Sequence, residues 1–183
     1  MAKLVYGINL SVDGYVADAE GRFDWSVPTD ELHAVFNDLI GATGTHLYGR
    51  RMYEVMSYWE APPEGSSRIE QEFGRLWQDS DKVVYSTSLA ATPTARTRIE
   101  RAFDPEAVRS MKAAASRDLL IGGPTIAAEA IRAGLVDEYL LAVAPVVVGG
   151  GLRALPDDVR LDLDLIEERR FSDGVVLLRY RPR

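Results

Sequence analysis

Cysteine is absent from this 183-residue chain, and histidine occurs only as His33 and His46. The first absence excludes disulfides, thiolate metal sites and a cysteine nucleophile. The two histidines are far apart and near no cluster of acidic ligands, so no catalytic metal is expected. Long apolar runs are missing as well. The longest, Tyr139–Val148, is too short for a membrane span and contains Pro145. The first ten residues, MAKLVYGINL, lack the apolar stretch and cleavage site of a secretory signal, so a cytoplasmic protein is expected. Positive charge is scarce: 21 Lys and Arg against 28 Asp and Glu give a net charge of −7, well mixed along the chain. That argues against a general nucleic-acid binder, which needs a basic face. A phosphorylated ligand stays open, held by a few arginines and by backbone N–H groups at helix starts.

What is present describes one globular unit. Hydrophobic residues make up 46% of the chain and charged ones 27%, ordinary values for a soluble fold, and the length suits a single domain over residues 1–183. Lys3–Leu10 reads as a strand, followed by a polar loop over Ser11–Trp25. Leu32, Val35, Phe36, Leu39 and Ile40 recur at helical spacing, with Thr29 placed to cap that helix and Gly41 to close it. Strand patterns at His46–Tyr48, Lys82–Ser86, Thr97–Arg101, Leu119–Ile121 and Glu138–Val148 alternate with further helical stripes, the last strand bending near Pro145. Asp104-Pro105 is a strong helix start, and Gly134 ends the helix that follows Gly122. Leu163–Phe171 and Val175–Arg181 flank Ser172-Asp173-Gly174, a good hairpin turn. The expectation is an α/β fold: a mixed, mostly parallel sheet with helices on both faces and a C-terminal antiparallel hairpin.

Four segments can carry chemistry. Gly122-Gly123-Pro124-Thr125 joins a strand to a helix, where bare backbone and free N–H groups suit a phosphate. Alone it reads first as an ordinary strand-to-helix turn, and it lacks the third glycine of the dinucleotide fingerprint. Gly49-Arg50-Arg51 puts arginine at a helix start, against that helix's own dipole, as an anionic ligand or mere solvation would explain. Ser86-Thr87-Ser88 offers hydroxyls at a strand end, as do many turns. Trp25-Ser26-Val27-Pro28-Thr29-Asp30 places a carboxylate just past a large aromatic. In an apolar pocket Asp30 would be a proton donor; otherwise it only matches the helix dipole.

In order and spacing, SVDGYVA (11–17), LYGRRMYE (47–54), VVYSTS (83–88), LLIGGPTIAAEAI (119–131) and VDEYLLAVAPVVVGGG (136–151) resemble the dihydrofolate reductase-like family. Within it, the chain is most similar to the C-terminal reductase domain of bifunctional riboflavin biosynthesis proteins. The resemblance implies a three-layer fold with NADPH lying across the sheet. It places Gly49, Arg50 and, as a helper, Arg51 at the phosphates, and Ser86 and Thr87 at the adenosine side with its extra phosphate. It lays Gly122, Gly123, Pro124, Thr125 and Ile126 over the pyrophosphate, where the family often has a cis Gly–Gly bond, and passes Val16 and Ala17 by the nicotinamide. Asp30 takes the place of the acid that holds the substrate ring.

Met52, Ala142, Glu31 and Ala34 depart from the pattern of true dihydrofolate reductases, which argues against folate. The function implied is an NADPH-dependent reductase of a small heterocycle. The alternatives are the riboflavin-pathway 5-amino-6-(5-phosphoribosylamino)uracil reductase, usually fused to a zinc deaminase whose motif is missing here, and a nucleotide-binding module without catalysis. A homodimer is expected from the same resemblance, with Ala142–Val148 either at its interface or simply in the centre of the sheet.

Overall fold

The computed structural model describes residues 1–183. The chain begins with β1 (Leu4–Ser11), a short β2 (Tyr15–Ala17), α1 (Asp30–Ala42), β3 (Thr43–Gly49) and α2 (Arg50–Met56). Next come α3 (Arg68–Asp79), β4 (Asp81–Tyr85), β5 (Thr97–Glu100), α4 (Pro105–Ala114), β6 (Asp118–Gly122) and α5 (Pro124–Arg132). It ends with β7 (Glu138–Ala144), β8 (Leu152–Arg153), β9 (Leu163–Arg170) and β10 (Val176–Pro182). Eight strands form one sheet in the order β5-β4-β3-β6-β1-β7-β10-β9, and β2 pairs with β8 apart from it. From β5 to β7 all neighbours are parallel; β10 runs antiparallel to β7 and to β9. The expected mixed, mostly parallel sheet with a closing hairpin is therefore what forms.

The strands read as continuous apolar runs because both faces are covered. Leu4, Tyr6, Ile8, Leu47, Val83 and Ile121 pack with Val108 of α4 and Ile126 and Ala130 of α5. Val5, Tyr48, Val84 and Leu120 pack with Leu32 and Leu39 of α1, Tyr53 of α2, and Phe73 and Trp77 of α3. Helix starts follow local chemistry. The Asp104 carboxylate accepts from the Glu106 N–H with Pro105 in the first turn. Ser67 and Glu70 form a reciprocal capping box on α3.

Several details differ from expectation. Gly41 lies inside α1, which ends instead at Thr43, whose hydroxyl donates to the carbonyls of Leu39 and Ile40. Thr29 occupies the N-cap position but its side chain makes no cap hydrogen bond. The β7 strand stops at Ala144, since Pro145 has no N–H to continue the ladder. Within the Ala142–Val148 run, Ala142 and Ala144 are buried in the sheet between β1 and β10, while Pro145 and Val147, the latter 68% exposed, are at the surface. The first half of the run is therefore central strand. All peptide bonds are trans, Gly122–Gly123 included.

The N-terminal ends of the parallel strands form a closed polar edge. Buried Glu138 pairs with Lys3 and with Arg179, whose Nη2 stands 2.7 Å away. Asp137 meets Lys112 at 2.6 Å and accepts from the Leu4 N–H, and Asp118 accepts from the Lys3 N–H. Burial pushes the Glu138 carboxyl up, but Lys3 and Arg179 outweigh it and hold the group below its ordinary pKa. Deeper in, fully buried His46 hydrogen-bonds Thr43 and Tyr48; burial first, then the charges of Lys82 and Arg117, bring its pKa down to about 3.

Candidate active site

The opposite edge is open. Pairing of β1 with β6 ends at Tyr6 and Ile121, whereas β1 continues beside β7 as far as Ser11 and Ala144. The helix that leaves β6 packs on one face, while the helices that leave its neighbours β1 and β3 pack on the other. Strand ends whose helices depart to opposite faces make the crevice in which α/β sheets bind ligands.

One side of this edge carries a cavity of about 360 Å³ lined by Arg50, Tyr85, Ser86, Thr87, Ser88, Arg101, Ala102 and Phe103. The register Gly49 to Tyr85 brings the end of β3 beside the end of β4 and so sets Arg50 next to Ser86. Arg50 is half-exposed, with a loose 3.7 Å contact to Glu54 as its ion pair. The Ser86 hydroxyl accepts from the N–H groups of Ser88 and Leu89, which shapes the turn. Arg101 donates from Nη1 to the carbonyls of Ser86 and Leu89, at 3.0 and 2.7 Å. Two guanidinium groups and three hydroxyls thus share one mouth, the chemistry of an oxyanion site. Burial pushes the Tyr85 phenol up to about 12, so it stays neutral there. Arg51 is exposed and does not line this cavity.

Sequence reasoning found Arg50, Ser86 and Thr87 but missed Arg101. No local pattern marks it, because only the pairing of β5 with β4 brings it to the cavity.

The diglycine turn serves packing as well as access. A Cβ on Gly122 would lie 2.9 Å from the Tyr48 ring, and one on Gly123, at φ +90°, would lie 2.9 Å from Met52 Cβ. The bare turn therefore lets β3 and α2 come close, while the first turn of α5 has no side-chain cap and keeps its N–H groups free. Pro124 and Thr125 line a second cavity of about 380 Å³ with Arg132, Arg153, Asp157 and Asp158. Both of its arginines are paired, Arg132 with Asp158 and Arg153 with Asp157. The Ile126 side chain is buried in the core, which leaves only its backbone for a ligand.

Val16 and Ala17 lie on β2, held by β8 rather than in a free loop. Asp13 reinforces them by accepting from the N–H groups of Val148 and Gly149. Gly151 packs so tightly beneath that a Cβ would sit 2.1 Å from the Ala17 carbonyl oxygen. Asp30 is exposed in the first turn of α1, so the apolar enclosure that a proton-donating role required is not formed by the chain.

The family model for the RibD C-terminal domain matches residues 2–177. The chain belongs to this RibD C-terminal domain family. It is 28% identical to the uncharacterised protein YyaP of Bacillus subtilis over 181 residues, covering 97% of this chain and 94% of that one. It is 38% identical over 153 residues to the riboflavin biosynthesis protein RibD of Mycobacterium tuberculosis, across 80% of this chain but only 43% of that relative. Solved structures share the RibD C-terminal fold. A protein from Shewanella sp. PV-4 named for riboflavin biosynthesis superposes with a TM-score of 0.78 at 20% identity, covering 100% of this chain and 99% of that one. A pyrimidine reductase-like protein from Corynebacterium diphtheriae gives 0.70 at 16% identity, covering 100% and 92%.

Proposed function

We propose that this chain is an NADPH-dependent reductase of a small heterocyclic substrate. The observation that carries the reading is the cavity shared by Arg50, Ser86, Thr87, Ser88 and Arg101. Its two cations and three hydroxyls fit the phosphate that distinguishes NADPH from NADH. The free N–H groups at the start of α5 lie one strand away, in position for the bridging phosphates. When bound, the cofactor supplies hydride. The chain's part is to fix the adenosine end on two guanidinium groups and to keep the β2 segment in place against β8.

The riboflavin-pathway uracil reductase is a second reading, favoured by the 38% identity to the mycobacterial RibD. It calls for a free basic pocket for a substrate phosphate, and the arginines of the second cavity are already neutralised by Asp157 and Asp158. A binding module without turnover is the third. The deciding experiment titrates the protein with NADPH and NADH by tryptophan fluorescence, for wild type and Arg50→Ala. NADPH should bind preferentially, and Arg50→Ala should weaken it by about 10-fold, the scale of one charge-assisted hydrogen bond, with NADH little changed. Failure of both nucleotides to bind at high protein concentration overturns the cofactor reading.

A further inference from the structure

Five buried side-chain polar atoms have no hydrogen-bond partner, and three of them, Asn9 Oδ1, Trp25 Nε1 and Thr29 Oγ1, belong to β1 and the segment that crosses it. Each such atom costs about 1–3 kcal/mol when left unpaired, so three in one corner need a reason. Asn9 lies in the part of β1 that β6 no longer accompanies, and so borders the crevice. Residues 18–28 form a strap that returns to β1 at Asn9. They are tied together internally by Asp18, which accepts from the N–H groups of Glu20 and Arg22 and pairs with the Arg22 guanidinium. Asn9 Nδ2 donates to the Ser26 carbonyl at 3.2 Å, and the Trp25 ring packs against the core beside α1. The strap's outer side carries Phe23 and Val27, 46% and 76% exposed, with no apolar partner to hold them down.

We infer that Asn9 is the residue that reads the substrate, and that it recognises a cyclic amide edge. A carboxamide presents an acceptor and a donor side by side, and a ring lactam presents the complementary pair, N–H beside C=O. In the structure the Asn9 donor is engaged by a peptide carbonyl, Ser26, and its acceptor has no hydrogen-bond partner. A lactam exchanges its own carbonyl for that of Ser26 and brings the N–H that Oδ1 lacks. Trp25 N–H and the Thr29 hydroxyl remain for further polar atoms of the ring. The same exchange removes the hydrogen bond between Ser26 and β1 and leaves the packing of Trp25 against the core to hold the strap. This inference rests on the reductase reading for its place in the reaction, but its test does not.

The probes are lumazine, which carries lactam N–H groups, and 1,3-dimethyllumazine, in which both pyrimidine-ring N–H groups are replaced by N-methyl. Calorimetric titration is run on the free protein and on protein saturated with NADP+, which has no hydride to give. Lumazine should bind at least about 10-fold more tightly than its dimethyl analogue, as expected where a site's polar groups are left unpaired. Asn9→Leu should erase that difference, and Asn9→Asp, which lacks the amide donor, should weaken lumazine too. NADP+ affinity should stay unchanged in both variants. The ligand comparison needs no variant, so it stands even if a substitution impairs folding. Equal affinity for the two ligands, no binding of either, or discrimination that survives in Asn9→Leu overturns the role of Asn9. Loss of NADP+ binding by the wild type overturns the cofactor reading alone.

Discussion

The two edges of the sheet are built on opposite principles. At the N-terminal edge the acids Asp118, Asp137 and Glu138 each have partners, and Lys3, Lys112 and Arg179 are spent on them. At the C-terminal edge Arg50 has one loose contact, the start of α5 has no side-chain cap, and Asn9, Trp25 and Thr29 keep unpaired buried atoms. Closing a polar group off with its partner stabilises the fold, whereas leaving it open spends stability on a surface that can still bind. The difference teaches where to look for chemistry in this fold: at the edge where hydrogen-bond capacity is left over.

Acid tests the closed side first. His46 is neutral when folded, with a pKa near 3 against 6.5 for the free group. Below pH 6.5 the unfolded chain takes up a proton that the folded one refuses, so stability falls by about 1.4 kcal/mol per pH unit. The Glu138 carboxylate works in the same direction at lower pH, because its folded pKa is depressed and its contribution is lost as pH falls through that value. Urea unfolding at pH 7 and pH 4.5 should differ by about 3 kcal/mol. A flat profile between those values would contradict the burial of His46.

Glu138→Ala is the sharper cut. It strands Arg179 and Lys3, and with both partners partly exposed the loss should be about 2 kcal/mol, below the range for a fully buried pair. NADPH affinity should not change. If affinity falls with stability, the two edges are not independent.

The smallest effect contrasts two helix caps. Ser67→Ala removes a working capping box and should cost about 1 kcal/mol. Thr29→Val removes a hydroxyl that caps nothing and has no partner, and should be neutral or stabilising by up to about 1 kcal/mol. Thermal melts of the two variants read the difference. A Thr29→Val loss equal to that of Ser67→Ala would mean that the upper edge is as closed as the lower.

Most of the architecture could be read from the residues. β-Branched runs, Asp104-Pro105, Gly134 and Ser172-Asp173-Gly174 act through neighbours in sequence, and each marks what it was expected to mark. Features that depend on contacts across the fold could not be read. Gly41 looked like a helix end, yet the Thr43 hydroxyl two residues on does that work. The β2–β8 pair joins residues far apart in the chain and has no local pattern. Of the candidate site, the order of the glycine, arginine and serine segments was legible. Arg101 and Asn9 were not, since the first is set by strand pairing and the second stands out only because nothing meets its oxygen.

The exposure of the strap has a consequence for covalent continuity. Arg22 is exposed near its middle, where a trypsin-like protease can cut without first unfolding the sheet. Such a cut would separate β1 and β2 from the rest of the chain in sequence but not in space, because β1 lies inside the sheet, hydrogen-bonded to β6 on one side and β7 on the other, and β2 pairs with β8. The nicked protein would remain assembled as two fragments, with its deepest strand supplied by the shorter one.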